Sequence, residues 1–137
     1  MHIHPQLLAD CHLLGTLDDN TLLLHRNAGL PWFILVPATE QADVLDLSGE
    51  QRAAVLQCCA EVSRFIKQNL GYNKVNFAGL GNVVPQQHLH IVGRREDDPC
   101  WPQPVWGNLP SGPDYATETL QHWVELLQRE CGLCATV

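Results

Sequence analysis

The chain has 137 residues, 45% of them hydrophobic, which is enough for one domain with a real core; no shift in composition marks a second, so residues 1–137 are read as a single domain. A formal charge of −7 excludes a general nucleic-acid binder, whose footprint is an excess of Lys and Arg, so any phosphate ligand must meet locally placed donors. The apolar runs fall short of the roughly 18 residues a membrane span requires, and no basic region followed by an apolar stretch opens the chain, so a cytoplasmic protein is expected.

Residues 6–30 begin with a short helical or irregular lead, followed by a turn over 15–20 and a strand over 21–26. The triplet Leu22-Leu23-Leu24 is apolar on both faces, which suits an inner strand. Asn27-Ala28-Gly29 has turn chemistry, and a second strand over 32–36 is ended by Pro37. The short connection implies an antiparallel hairpin. Ser48-Gly49-Glu50-Gln51 has capping-box spacing, and Ala54, Val55, Cys58, Cys59, Val62, Ile66 and Leu70 mark one face of a helix that Gly71 stops, so a helix is predicted over 49–70. Asp43 and Asp46, just before it, read as solvated loop residues.

A strand over 74–78 runs through the bend Gly79-Leu80-Gly81-Asn82, where the backbone can approach a ligand closely, into the stretch Val84-Pro85-Gln86-Gln87-His88-Leu89-His90-Ile91-Val92-Gly93-Arg94-Arg95. Its polar and apolar residues alternate with a period of two. As a strand it sends Gln86, His88 and His90 to one face and Leu89 and Ile91 to the other. Each imidazole is a candidate nucleophile, base or metal ligand near neutral pH. An isolated His-x-His is as readily a structural feature; here the glycine bend before it and the guanidinium groups of Arg94 and Arg95 after it point to phosphate. Five prolines and two tryptophans between residues 97 and 113 make a semi-rigid covering loop. Asp114 or Thr117 can cap a last helix, with Leu120, Trp123, Val124 and Leu127 at helical spacing.

The six cysteines, Cys11, Cys58, Cys59, Cys100, Cys131 and Cys134, read as reduced thiols, since a chain of this size needs no disulfide frame. Cys131-Gly132-Leu133-Cys134 has the spacing of half a zinc site, but no second pair matches it and Gly132 reads as a helix C-terminal signal, so no metal site is assigned. His2 and His4 read as surface residues. His12, His25 and His122 stand in no motif and read as structural or exposed.

Antiparallel strands with helices to one side make an α+β domain. At this point the sequence resembles the histidine-triad (HIT) nucleotidyl hydrolases and transferases, especially their small stand-alone bacterial members. Their signature is His-φ-His-φ-His-φ-φ, with φ apolar. Gln86-Gln87-His88-Leu89-His90-Ile91-Val92 matches it except that Gln86 replaces the first histidine and Gln87 the first apolar residue. The likeness extends from His4-Pro5-Gln6-Leu7 through Pro31-Trp32-Phe33-Ile34-Leu35-Val36-Pro37 to Trp101-Pro102-Gln103-Pro104-Val105-Trp106-Gly107.

The resemblance implies a five-stranded antiparallel sheet with two main helices, and a homodimer formed through the long helix and the sheet edge. It implies that His88 attacks the α-phosphorus of a purine nucleotide conjugate, such as a phosphoramidate or a dinucleoside polyphosphate, to give a nucleotidyl-histidine that water cleaves. It gives His90 a contact to phosphate oxygen and a backbone carbonyl that holds the Nδ1–H of His88. Asn76, Gly81 and Asn82 fall near the phosphate, while Val83 lacks the hydroxyl found in many relatives. Trp32, Phe33 and Leu24 line the base pocket, or are simply core; Trp101 and Trp106 bound the leaving-group side. Gln86 can donate a hydrogen bond but cannot carry a proton, which biases the site toward leaving groups that depart already stabilised, such as those of dinucleoside polyphosphates. No cofactor is required, and Mg²⁺ can accompany a polyphosphate substrate. The alternative is a nucleotide-binding or interaction module with weak or no activity.

Overall fold

Leu22, Leu23 and Leu24 are wholly buried, with Leu22 and Leu24 in one apolar cluster and Leu23 in another, so the sheet that contains them is covered on both faces. In the computed structural model, which describes residues 1–136, this inner strand is β2 (Asn20–His25). It pairs antiparallel with β3 (Trp32–Val36) as the hairpin reading requires. On its other side lies β1 (Cys11–Leu17), where the sequence suggested an irregular lead and a turn. The register of β1 slips between Leu13 and Gly15, which breaks the period-two pattern by which a strand is recognised.

The whole sheet is antiparallel and has six strands, in the order β4 (Lys74–Gly79), β5 (Leu89–Arg94), β3, β2, β1, β6 (Cys134–Ala135). The expectation of five strands therefore fails by one. The extra strand is two residues long, too short to leave a pattern in the sequence, and it exists because Gly15 lets the two backbones close up: a Cβ at position 15 would collide with the Cys134 carbonyl oxygen.

Helix α2 (Gly49–Gln68) begins as the capping spacing predicts, with the Gln51 N–H donating to Ser48 Oγ at 3.1 Å. It buries Val55, Cys58, Cys59, Val62, Phe65 and Ile66 against the sheet face that carries Leu22, Leu24, Phe33, Leu35, Leu89 and Ile91. Ala54 is exposed, off the stripe. Helix α3 (Thr117–Cys131) joins the same core through Leu127 and Trp123 and ends at Gly132 in the left-handed conformation, φ +71°. Neither expected residue caps its start: the N-cap is Ala116, and the Asp114 carboxylate instead holds His12 Nε2 at 2.7 Å and Arg26 Nη1 at 3.3 Å.

The opposite sheet face is covered without long helices. Ile3 and Leu7, from the first residues and the short helix α1 (Pro5–Asp10), pack there with Cys100, Val105, Trp106 and Leu109 of the proline-tryptophan loop. Buried Arg94 anchors that loop, its Nε donating to Asp98 Oδ2 at 2.7 Å. No helix among the described residues is long and apolar enough to cross a membrane.

Gly15→Ala should destabilise the protein by about 1–3 kcal/mol, the usual cost of forcing atoms into a packed contact. The Thr136 amide, which donates to the Leu14 carbonyl at 3.2 Å, should then lose protection from exchange. Thermal unfolding together with hydrogen exchange checks both.

Candidate functional site

The pairing of β4 with β5 ends at Gly79 opposite Leu89, after which the chain turns through Leu80 and Gly81, whose φ is +71°. Residues 84–88 therefore have no ladder partner, and the strand predicted to carry both histidines starts only at Leu89. His90 keeps its expected side: it lies opposite Ala78 and Ile34, on the face away from α2, while Leu89 and Ile91 enter the helix-side core. His88 is the last residue of the loop. Its ring centroid lies 5.0 Å from that of His90, so the two imidazoles stand together even though only one is on a strand.

The nitrogens of these rings are differently committed. His88 Nδ1 lies 2.8 Å from the main-chain oxygen of Gln86, an acceptor only, so the proton sits on Nδ1 and the Nε2 lone pair is free. The expected acceptor, the carbonyl of His90, is replaced by that of Gln86, two residues before the ring rather than two after it, where the chain bends. His90 is arranged the other way round. Trp32 Nε1 donates to its Nδ1 at 3.0 Å, so the neutral ring carries its proton on Nε2. Burial, with help from the neighbouring His88 and His25, pushes the His90 pKa down to about 4.

Two clefts meet at His88. The larger, about 460 Å³, is aromatic and apolar: Leu7, Cys11, His25, Trp32, Ile34, Val84, His90 and Trp106 contribute walls, with Gly81 and Asn82 at the glycine bend. The smaller, about 350 Å³, shares Leu80, Gly81 and His88; Asp43, Asp46 and Gln87 are its other polar lining, among apolar residues that include Val44, Leu45 and Leu89. Trp32 forms the floor of the larger cleft. Its ring stacks on His25 at 4.3 Å, 9° from parallel, and meets Trp106 edge-on at 5.8 Å.

Of the residues singled out in the sequence, His88, His90, Gly81, Asn82, Trp32 and Trp106 converge on this larger cleft. Leu24 and Phe33 do not, since both are wholly buried in the helix-side core, where Phe33 lies against Phe65 and Trp123. Asn76 is on the correct sheet face but turned away, its Oδ1 accepting from Arg94 Nη1 at 2.9 Å. The guanidinium groups expected to meet phosphate are also engaged. Arg94 is buried against Asp98, and Arg95 lies 3.8 Å over the Tyr72 ring. Trp101 is on the outer surface near Arg94. Gln86 lines neither cleft; its amide faces the N-terminal segment, accepting from the His4 N–H and donating to the His2 carbonyl, each at 2.8 Å.

Sequence reading missed His25 and the N-terminal wall. His25 closes β2 at the cleft, and its Nδ1 accepts from the Asn27 N–H at 3.1 Å, while burial lowers its pKa. The available signal was its parity: it follows Leu24 on an inner strand and so falls on the face that carries Leu23. Gln6, Leu7 and Asp10 reach the cleft from α1, a helix of 6 residues.

Residues 6–97 match the model of the HIT domain, which is two thirds of the chain. The chain belongs to the HIT family. Solved structures of HIT proteins agree along nearly the whole length. The chain is 34% identical to a histidine triad protein from Bradyrhizobium japonicum, covering 95% of this chain and 97% of that one with a TM-score of 0.87. A histidine triad protein from Marinobacter aquaeolei VT8 is 36% identical, with 96% of each chain covered and a TM-score of 0.87. One from Sinorhizobium meliloti 1021 is 30% identical, with 94% and 96% covered and a TM-score of 0.87. Among curated proteins there is no match. HIT membership places the chain in a superfamily of nucleotide-binding hydrolases and transferases.

The environment of His90 has a consequence for stability. Because its pKa falls from 6.5 unfolded to about 4 folded, the unfolded state takes up the proton first as pH drops. Stability should be unaffected by this group above the unfolded value and fall between pH 6.5 and about 4, by roughly 1.4 kcal/mol per pH unit crossed. Denaturant melts across that window should show the slope, and His90→Gln should reduce it.

Proposed function

We propose that this HIT protein is a nucleotidyl hydrolase or transferase that breaks the α-phosphate linkage of purine nucleotide conjugates by covalent catalysis on His88. The observation that carries the proposal is the bond from His88 Nδ1 to the Gln86 carbonyl, which leaves Nε2 as a free nucleophile between two clefts. The aromatic cleft, floored by Trp32 and flanked by His25 and Trp106, suits a purine nucleoside. The α-phosphate then sits at His88, within reach of the main chain at Gly81 and the amide of Asn82, with His90 Nε2–H as a neutral donor to a phosphate oxygen.

The Nε2 lone pair attacks phosphorus, the bond from phosphorus to the leaving group breaks, and the leaving group departs with the electron pair, an amine taking a proton from solvent as it leaves. Water then attacks the nucleotidyl-histidine and gives up a proton to solvent, the P–N bond breaks with its electron pair returning to Nε2, and nucleoside monophosphate leaves with His88 restored. No cofactor takes part in these steps; Mg²⁺, with a polyphosphate substrate, would travel on the substrate's own oxygens.

The leaving group falls in the smaller cleft. Asp43 and Asp46 border it, and Gln87 Oε1 is a buried acceptor without a hydrogen-bond partner among the described residues. Acceptors and carboxylates suit an amine better than a polyphosphate, whose charge they repel. This reverses the bias that Gln86 suggested in the sequence and favours nucleoside phosphoramidates. A binding module without turnover is the competing reading, favoured by Val83, which is 89% exposed and offers no hydroxyl to the site.

His88→Ala should reduce turnover of adenosine phosphoramidates by at least about a hundredfold while nucleotide binding and the unfolding midpoint change little. Acid quenching of the wild-type reaction should trap a nucleotidyl group on His88. Wild-type binding without turnover would establish the binding-module reading instead.

The open edge of the sheet supports a homodimer. Strand β4 has a partner on one side only, and Phe77 and Leu56, 47% and 40% exposed, border a groove completed by Ala60, Ser63, Val75 and Ile91 between β4 and α2. Light scattering should give twice the 15.3 kDa chain mass, and Phe77→Glu should shift it toward the monomer.

A further inference from the structure

Gln86 occupies the position at which the HIT signature has its first histidine, and both ends of its amide are engaged outside the two clefts. Its Oε1 accepts from the His4 N–H and its Nε2 donates to the His2 carbonyl, both at 2.8 Å, across more than 80 residues of sequence. Its own main-chain carbonyl holds His88 Nδ1 at 2.8 Å. One residue thus grips the N-terminal segment with its side chain and the nucleophile with its backbone.

The segment it grips is a wall of the site. Ile3 and Leu7 pack in the same cluster as Trp32 and Val84, and Gln6, Leu7, Asp10 and Cys11 line the aromatic cleft. His4 sets the start of α1, its Nδ1 accepting from the Gln6 N–H at 3.0 Å. We propose that Gln86 is a positioning residue that ties residues 2–10 to the loop carrying His88, fixing the cleft wall and the nucleophile relative to each other, with no part in proton transfer.

The chemistry of the side chain fits this role. A primary amide presents an acceptor and a donor side by side, as a main-chain segment does, and so pairs with one N–H and one C=O of another segment. A carboxylate would keep only the bond from the His4 N–H. An imidazole carries its two nitrogens at separate ring positions, and a neutral ring offers a single donor. The inference rests on the reaction proposed above for its kinetic arm and on the hydrogen bonds of Gln86 alone for its structural arm.

The experiment measures kcat/KM on adenosine conjugates whose leaving groups span a range of basicity, for the wild type and for Gln86→Ala, Gln86→Glu and Gln86→His. Loss of the tie should lower kcat/KM by roughly tenfold or more for Gln86→Ala, by the same factor for good and poor leaving groups, because misplacing a wall and a nucleophile acts before any proton moves. Gln86→Glu should retain part of the activity. His4→Pro removes the N–H that Gln86 accepts from, at a φ of −53° that proline tolerates, and His4→Ala controls for the lost contact to Gln6. Adding His4→Pro to Gln86→Ala should cost less than the product of the two single effects, after correction by the control.

A loss concentrated on poor leaving groups, a Gln86→His gain confined to them, or fully multiplicative effects would overturn the proposal. Hydrogen exchange supplies the arm that needs no turnover: the His4 amide and those of α1 should exchange faster in Gln86→Ala while the global unfolding midpoint holds. Unchanged exchange there overturns the tie even if the kinetics shift. A wild type inactive on every conjugate would count against the proposed reaction and leave the exchange result to decide the tie.

Discussion

The site depends on one hydrogen bond, from His88 Nδ1 to the carbonyl of Gln86. A neutral imidazole can carry its proton on either nitrogen, and only a fixed acceptor beside one of them decides which lone pair faces a substrate. Here the acceptor belongs to the main chain, so its chemistry is independent of the side chain two residues upstream. Its position is another matter. The loop over 80–88 has no strand partner among the described residues, and what holds it is the glycine bend, buried Val84, the bond from Gln87 Nε2 to the Gln41 carbonyl and the Gln86 amide.

The other half of the cleft is delivered by an ion pair that never touches it. Arg94 is among the most deeply buried side chains, and its guanidinium is satisfied by both carboxylate oxygens of Asp98, at 2.7 and 3.2 Å, and by Asn76. Burial alone would raise the Asp98 pKa, but hydrogen bonds from Arg94 and from the N–H groups of Arg95 and Cys100 outweigh it and hold the carboxyl below its ordinary value. Removing either partner would leave the other charge buried and unpaired, a far larger loss than the net worth of the pair. The pair pins the chain where it leaves β5, and from there the loop crosses the sheet face and sets Trp106 at 4.9 Å from His90.

These two arrangements explain what could be read from the sequence and what could not. Periodicity carried the inner strands, α2 and the sidedness of Leu89, His90 and Ile91, because each of these buries a regular face. It does not reveal β1, whose bulge at Leu14 breaks the alternation, or β6, which is fixed by an approach of two backbones that no side-chain pattern records. In the site, the residues on or next to β3 and β5 were legible. Arg94 and Asn76 have the chemistry to serve phosphate and Gln86 to serve a leaving group, yet each meets a protein partner far away or around a bend: Asp98, Arg94 and the backbone of residues 2–4. Residue chemistry indicates what a side chain can bind; only the fold determines which partner it meets first.

The two histidines show how environment divides one chemistry into two roles. They lie two residues apart with ring centroids 5.0 Å from each other, but His88 ends a loop with Nε2 uncommitted, while His90 is enclosed by Trp32, Trp106 and the sheet and stays neutral down to about pH 4. A neutral His90 donates a hydrogen bond without surrendering a proton, which is the property the proposed reaction asks of it at a phosphate oxygen. His25, the third imidazole of the cleft, also has its pKa lowered by burial. Near neutral pH, then, neither His90 nor His25 serves as a proton reservoir, and with the Gln86 amide turned to the N-terminus the proposed reaction would draw any proton for the leaving group from water. In the proposed reaction an amine meets that requirement from solvent, and the acceptors of the smaller cleft, with Asp43 and Asp46 at its border, are what would distinguish it from a polyphosphate.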